Sequence, residues 1–182
     1  MDEVKFKYQY VPNLLNENEL NLLTNHCKNL HKTNTTNFDV GQSENLDTYF
    51  YKDPLMEMLG SSKKHIFEKV IGKKLHETYT FWRCYTFASD LKKHTDRRSC
   101  EISATVFIDA DKNSVDWPIY MEGNPVSLKR GDAVLYKGCD VEHWREQFKG
   151  DYHIQVFLHY VDAEGEFKDY KGDVKNENSS KW

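Results

Sequence analysis

With 182 residues the chain has the length of a single domain, long enough to bury a core unaided. Its 25 lysines and arginines against 29 aspartates and glutamates leave a formal charge of -4, too balanced for a surface that attracts nucleic acid or an anionic membrane. The cysteines, Cys27, Cys84, Cys100 and Cys139, include no CxxC pair, no apolar run approaches membrane-spanning length, and MDEVKFKYQY is neither a secretory nor a transit segment, so the expectation is a reduced cytoplasmic protein.

The elements are expected in the following order. A short strand over Val4 to Val11 precedes an amphipathic helix over Asn16 to Leu30, with Leu20, Leu23, Cys27 and Leu30 at helical spacing and Asn16 or Asn18 as N-cap. The Asn-, Thr- and Ser-rich stretch from Lys32 to Asp47 lacks periodicity and reads as a loop, a candidate lid. Asp53-Pro54 opens a second helix with an N-cap and a proline at its first position; Leu55, Leu59, Ile66 and Val70 supply its buried stripe and Gly72 ends it. From Lys74 the pattern changes to short aromatic and β-branched runs: His76 to Phe87, Glu101 to Ile108, Trp117 to Tyr120, Val126 to Leu128, Ala133 to Tyr136, Glu142 to Phe148 and Tyr152 to Val161. Turn signals separate them, among them Gly123-Asn124-Pro125 and Arg130-Gly131-Asp132. Short strands without intervening helices predict antiparallel sheets in a sandwich or jelly roll. The expected organisation is one domain over 1–182, with helical support in 1–73, a mostly β core in 74–162 and a polar, frayed or loosely docked tail in 163–182.

On that body the chemistry concentrates at His94-Thr95-Asp96 and, 49 residues after His94, at His143. Two imidazoles and a carboxylate can hold one face of a ferrous ion and leave the opposite positions open. In extended backbone, residues two apart project to the same side, so His94 and Asp96 can chelate together. His143 completes the triad only where its strand lies beside theirs.

The region from Tyr79 to Val161 resembles the catalytic core of the iron(II)- and 2-oxoglutarate-dependent dioxygenases, in particular the prolyl-4-hydroxylase-like branch. The matching string is Tyr85 in FWRCYTF, the HxD at His94 and Asp96, the strand Ile102 to Ile108, the turn into GDAVLY, and His143 followed by a terminal strand. The entry VPNLLNENELNLLTNHC is also similar. The resemblance implies a cupin-like jelly roll, or double-stranded β-helix, with His94, Asp96 and His143 as Fe(II) ligands. It further implies 2-oxoglutarate and dioxygen as co-substrates, release of succinate and carbon dioxide, and hydroxylation of a C–H bond in a peptide or small molecule, a prolyl residue being one such target. Family members usually anchor the 5-carboxylate of 2-oxoglutarate on an arginine or lysine of the last strand, whereas YHIQVFLHYV carries neither.

Arg145, two residues after His143, is the first substitute for that anchor; the bland alternative is a surface ion pair with Glu142 or Glu146. His153 and Gln155, which share a face of the last strand, come next, and Tyr85 and Thr105 could add hydroxyl contacts. Arg97 and Arg98 face either the mouth of the site or solvent, Glu101 being available to pair with one of them. Trp117, Tyr120 and Trp144 either wall a pocket or pack in the core. Phe107 packs against co-substrate or core, His159 reads as a buried hydrogen-bonded histidine, and Cys84 and Cys100 as buried thiols. Two further readings stay open: a non-catalytic cupin-like binding module, and a cupin metalloenzyme that uses no 2-oxoglutarate. Nothing in the sequence fixes the oligomeric state.

Overall fold

A computed structural model describes residues 6–33, 37–38, 47–114 and 116–173. In chain order these form β1 (Tyr8–Val11), α1 (Glu17–Lys32), β2 (Asn37–Phe38), β3 (Thr48–Tyr51), α2 (Pro54–Ile71), β4 (Leu75–Thr86), β5 (Leu91–His94), β6 (Ile102–Ala110), β7 (Ile119–Met121), β8 (Asn124–Val126), β9 (Ala133–Tyr136), β10 (His143–Arg145) and β11 (Tyr152–Asp162). A 3-10 turn occupies Arg98–Cys100, and two short 3-10 pieces joined across a kink at Lys171 and Gly172 occupy Lys168–Asp173.

The helices start where their caps dictate. Asn16 caps α1 in a reciprocal box with Glu19, each satisfying a backbone N–H of the other. The Asp53 carboxylate accepts from the Leu55 N–H, and its other oxygen takes the Trp82 indole N–H at 3.0 Å and His26 at 2.6 Å, so one side chain fastens the start of α2 to β4 and α1. The buried face of α2 is rotated from the expected stripe: Met56, Leu59, Gly60 and Phe67 are buried, while Leu55, Ile66 and Val70 sit at its margin. Close approach explains the shift, since the Gly60 carbonyl accepts from the Tyr160 hydroxyl at 2.8 Å.

The strands make a seven-stranded sheet in the order β1-β9-β6-β11-β4-β3-β2 and a four-stranded sheet in the order β5-β10-β7-β8. All pairings are antiparallel, as a jelly roll requires. Alternation along β4, β6 and β11 divides the large sheet. Trp82, Cys84, Ile102, Ala104, Val106, Ile154, Val156, Leu158 and Tyr160 join Leu20, Leu23 and Phe67 of the helices in one apolar core. The other face, between the sheets, carries Tyr79, Arg83, Tyr85, Ser103, Thr105, His153, Gln155 and His159.

Several boundaries differ from the sequence expectation. The turn after β7 is Glu122-Gly123, both left-handed at φ 49° and 87°, so Asn124 and Pro125 enter β8 rather than forming the turn. Pro125 is tolerated because β8 is an edge strand. Most of the candidate lid from Lys32 to Asp47 lies outside the described residues. The tail is anchored as far as Asp173: its carboxylate receives two hydrogen bonds of 2.8 Å from Arg97 and one from the Tyr51 hydroxyl. The expectation of a loose tail fails there because buried Asp173 finds a cation waiting.

Candidate metal centre and carboxylate pocket

Strand register assembles the triad. His143 of β10 pairs directly with His94 of β5, and their rings lie 4.4 Å apart. Asp96, just past the end of β5, is held by its N–H on the Gly138 carbonyl at 2.8 Å. Gly138 is required here for space, since a Cβ would come within 2.5 Å of the Asp96 carboxylate and 2.2 Å of the Cys100 carbonyl.

The Nε2 atoms of His94 and His143 stand 3.5 and 3.6 Å from Asp96 Oδ1. Cis ligands on metal bonds of about 2.1 Å lie on the order of 3 Å apart, so a small contraction around an ion suffices. Each imidazole turns its Nδ1 to a backbone carbonyl, His94 to Lys92 at 2.6 Å and His143 to Val141 at 2.9 Å. That donation fixes the tautomer and leaves Nε2 as a bare lone pair facing the carboxylate. Burial raises and the neighbouring imidazoles lower the Asp96 pKa, with a net depression that keeps the carboxylate ionised. His143 is depressed by burial despite the Asp96 charge, which favours the neutral ligand form. His94 is more exposed; burial opposes its charge, but the hydrogen bond that its protonated ring donates to the Asp96 carboxylate raises its pKa on balance.

Two residues beyond His143, Arg145 enters the space between the sheets and is 2% exposed, which excludes the surface pairing with Glu142 or Glu146. Among the described residues it has no carboxylate partner. One terminal nitrogen donates to the Trp117 carbonyl at 2.5 Å, its guanidinium lies 4.8 Å from the Trp117 ring, and Nε has no hydrogen-bond partner. Burial pushes its pKa down to about 10, so it remains a cation at neutral pH. A buried charge without a counter-ion costs several kcal/mol, on the order of the penalty for one desolvated ion.

The remaining anchor candidates surround it. Gln155 satisfies its neighbours when its nitrogen donates to the Val106 carbonyl at 2.9 Å and Thr105 Oγ1 at 3.1 Å, leaving its oxygen to accept from His153 Nε2 at 2.6 Å and Arg145 at 3.3 Å. His153 stacks on Phe107 with centroids 4.5 Å apart and planes 8° apart. Burial, and then the Arg145 charge, push its pKa down to about 3, so it is neutral and cannot replace the missing cation. The buried Tyr85 hydroxyl meets no acceptor within hydrogen-bonding distance, and its ring lies 4.9 Å from that of Trp117. The unpartnered donors of Arg145 and Tyr85 thus both lie beside the Trp117 ring, and a carboxylate fits them; His153 Nδ1, the bare lone pair of a neutral ring whose Nε2 donates to Gln155, adds no donor.

Register brings His94, Asp96, His143, Tyr85, Thr105, Arg145, His153 and Gln155 to the space between the sheets. Tyr120 and Trp144 do not join them: they stack on each other at 5.2 Å on the other side of β7 and β10. Arg97 and Arg98 are not at a mouth either, since Arg97 clamps Asp173 and Arg98 lies over Phe167 at 5.7 Å. Glu101 instead accepts from the Asp162 N–H at 2.8 Å. Sequence reasoning missed Arg83, Tyr136 and Gly138. Arg83 shares an alternation with Tyr85 in FWRCYTF, a signal that was available; the Tyr136 ring, 4.8 Å from His143, had none.

No protein-family model and no curated protein sequence matches this chain. Solved structures do. A prolyl-4-hydroxylase from Pseudomonas putida aligns over 87% of this chain and 94% of its own, with a TM-score of 0.69 at 12% identity. A viral collagen prolyl hydroxylase from Paramecium bursaria Chlorella virus-1, solved with 2-oxoglutarate, covers 86% of this chain and 96% of its own, with a TM-score of 0.63 at 13% identity. HygX from Streptomyces hygroscopicus, solved with nickel and 2-oxoglutarate, covers 87% and 84%, with a TM-score of 0.68 at 10% identity. At these identities the likeness is one of fold: the chain is a jelly roll of the kind that these structures share.

Proposed function

We propose that the protein is an iron(II)- and 2-oxoglutarate-dependent dioxygenase that hydroxylates a C–H bond and releases succinate and carbon dioxide. The observation that carries this reading is Arg145: a buried guanidinium with no acidic partner among the described residues, two positions from His143 on one strand. About 6.6 Å of strand separates such residues, a span suited to a five-carbon dicarboxylate reaching from a metal to a cation. His94, Asp96 and His143 would hold the iron, which supplies dioxygen activation and the redox change. Arg145 would pair with the 5-carboxylate, with Tyr85 and Thr105 donating from neighbouring strands. Gln155 holds the guanidinium in place, and neutral His153 holds Gln155. Trp117 and Phe148, ring centroids 4.8 Å apart, close that end of the pocket against water.

The substrate is proposed to be a peptide or small molecule, with a prolyl side chain first because two of the similar folds are prolyl hydroxylases. No described helix is long and apolar enough to cross a membrane, and four free cysteines support the cytoplasmic reading.

The test is anaerobic addition of ferrous ion and then 2-oxoglutarate to the purified protein. A weak visible metal-to-ligand charge-transfer band is expected; its absence at saturating 2-oxoglutarate would sink this reading. Iron binding without that band points to the cupin metalloenzyme, and neither signal to the binding module. A screen of proline-containing peptides for the mass gain of one oxygen then reads the substrate, and a screen without any oxidised peptide removes the prolyl assignment.

A further inference from the structure

Asp96 serves two clusters with its two oxygens. Oδ1 faces Nε2 of His94 and His143. Oδ2 turns the other way and accepts from the Ser103 hydroxyl at 3.1 Å, whose oxygen lies 2.8 Å from His159 Nδ1. Cys100 completes this second group: ligand atoms of Asp96, Cys100 and His159 lie within 4.8 Å of one another, as do those of Asp96, His94 and His143. Cys100 and His159 are 2% and 7% exposed, and the thiol engages the Tyr79 hydroxyl at 3.0 Å.

The two donor sets differ in softness. Two imidazoles and a carboxylate suit ferrous ion, whereas a thiolate, an imidazole and a carboxylate oxygen are each donors that zinc takes, the thiolate marking the softer set. We infer that Asp96, Cys100 and His159 form a second metal site, for a borderline divalent cation of the zinc class, joined to the first through the Asp96 carboxylate. Binding exchanges the Ser103 and Tyr79 hydrogen bonds for metal bonds. The Cys100 thiol proton passes to the buffer, with no change of oxidation state. Such an ion draws electron density from the iron carboxylate, so loading the second site weakens the first. The inference rests on the proposed function only for Asp96 as an iron ligand.

Cobalt(II) chloride is the probe. Anaerobic titration of the wild-type protein is expected to give an intense near-ultraviolet thiolate-to-cobalt absorption and about two ions per chain, displaced by zinc chloride. Cys100→Ser is expected to lose that absorption and bind about one ion, while retaining the visible band given by ferrous ion with 2-oxoglutarate. His159→Asn reports the same loss if Cys100→Ser does not fold, and Cys139→Ser retains the absorption. No thiolate absorption in the wild type, or one that survives Cys100→Ser, overturns the second site. The iron band reads the first site independently: its absence beside a cobalt–thiolate band would reject the proposed function and leave the second site standing.

Discussion

The two faces of β4 and β11 are buried alike and built from opposite chemistry. Toward the helices the strands place Trp82, Cys84, Ile154, Val156 and Leu158, each 1% exposed or less. Toward the smaller sheet the intervening positions are Arg83, Tyr85, His153 and Gln155, equally hidden from solvent. A sheet whose second face served only stability would be apolar there, because each buried polar group must find a partner or cost on the order of 1–3 kcal/mol. One face therefore supplies the stability that the other spends on preorganised donors.

Four substitutions test that division. Asp96→Ala, on the polar side, is expected to abolish the iron and 2-oxoglutarate charge-transfer band while the melting temperature stays near that of the wild type; a retained band breaks the metal assignment. Trp82→Ala, on the apolar side, is expected to cost about 3–5 kcal/mol by chemical denaturation, from the cavity and from the Asp53 hydrogen bond it abandons. Its co-substrate affinity, measured below the unfolding midpoint, should stay close to wild type.

Arg145→Met sharpens the comparison because its two effects carry opposite signs. Removing the unpaired buried charge is expected to raise stability in the absence of ligand, while 2-oxoglutarate affinity falls by about 2–5 kcal/mol, read by titration of the visible band. A variant that loses stability and keeps affinity would show Arg145 to be structural. His153→Phe keeps the stack on Phe107 and removes one neutral hydrogen bond, so affinity should drop by about 1 kcal/mol or less. His153, with its pKa near 3, is neutral throughout pH 5 to 8 and would charge only as the pH fell through that value. Co-substrate affinity in that window should show no titration that His153→Phe removes.

Local rules made part of this molecule legible in the sequence. Asn16 with Glu19, and Asp53 with Pro54, fix helix starts through bonds that span two or three residues. Period-two alternation puts His153 and Gln155 on one face wherever that strand lies. The HxD is equally local, since residues two apart in extended chain share a side whatever surrounds them.

Only tertiary structure decided what depends on partners far along the chain. His143 became a neighbour of His94 through pairing across 49 residues, and a shift in register after it separates the partners of His143 and Arg145 on β5. Arg97 read as facing either the mouth of the site or solvent until Asp173, 76 positions away, claimed it. Arg145 read first as the anchor with a surface ion pair as the alternative, and the sequence could not exclude the second, because a side chain's charge is written in the sequence and its desolvation is not. That the guanidinium lies buried under Trp117 without an acid is set by the closing of two sheets over it, and this, more than the triad, supports the proposed co-substrate.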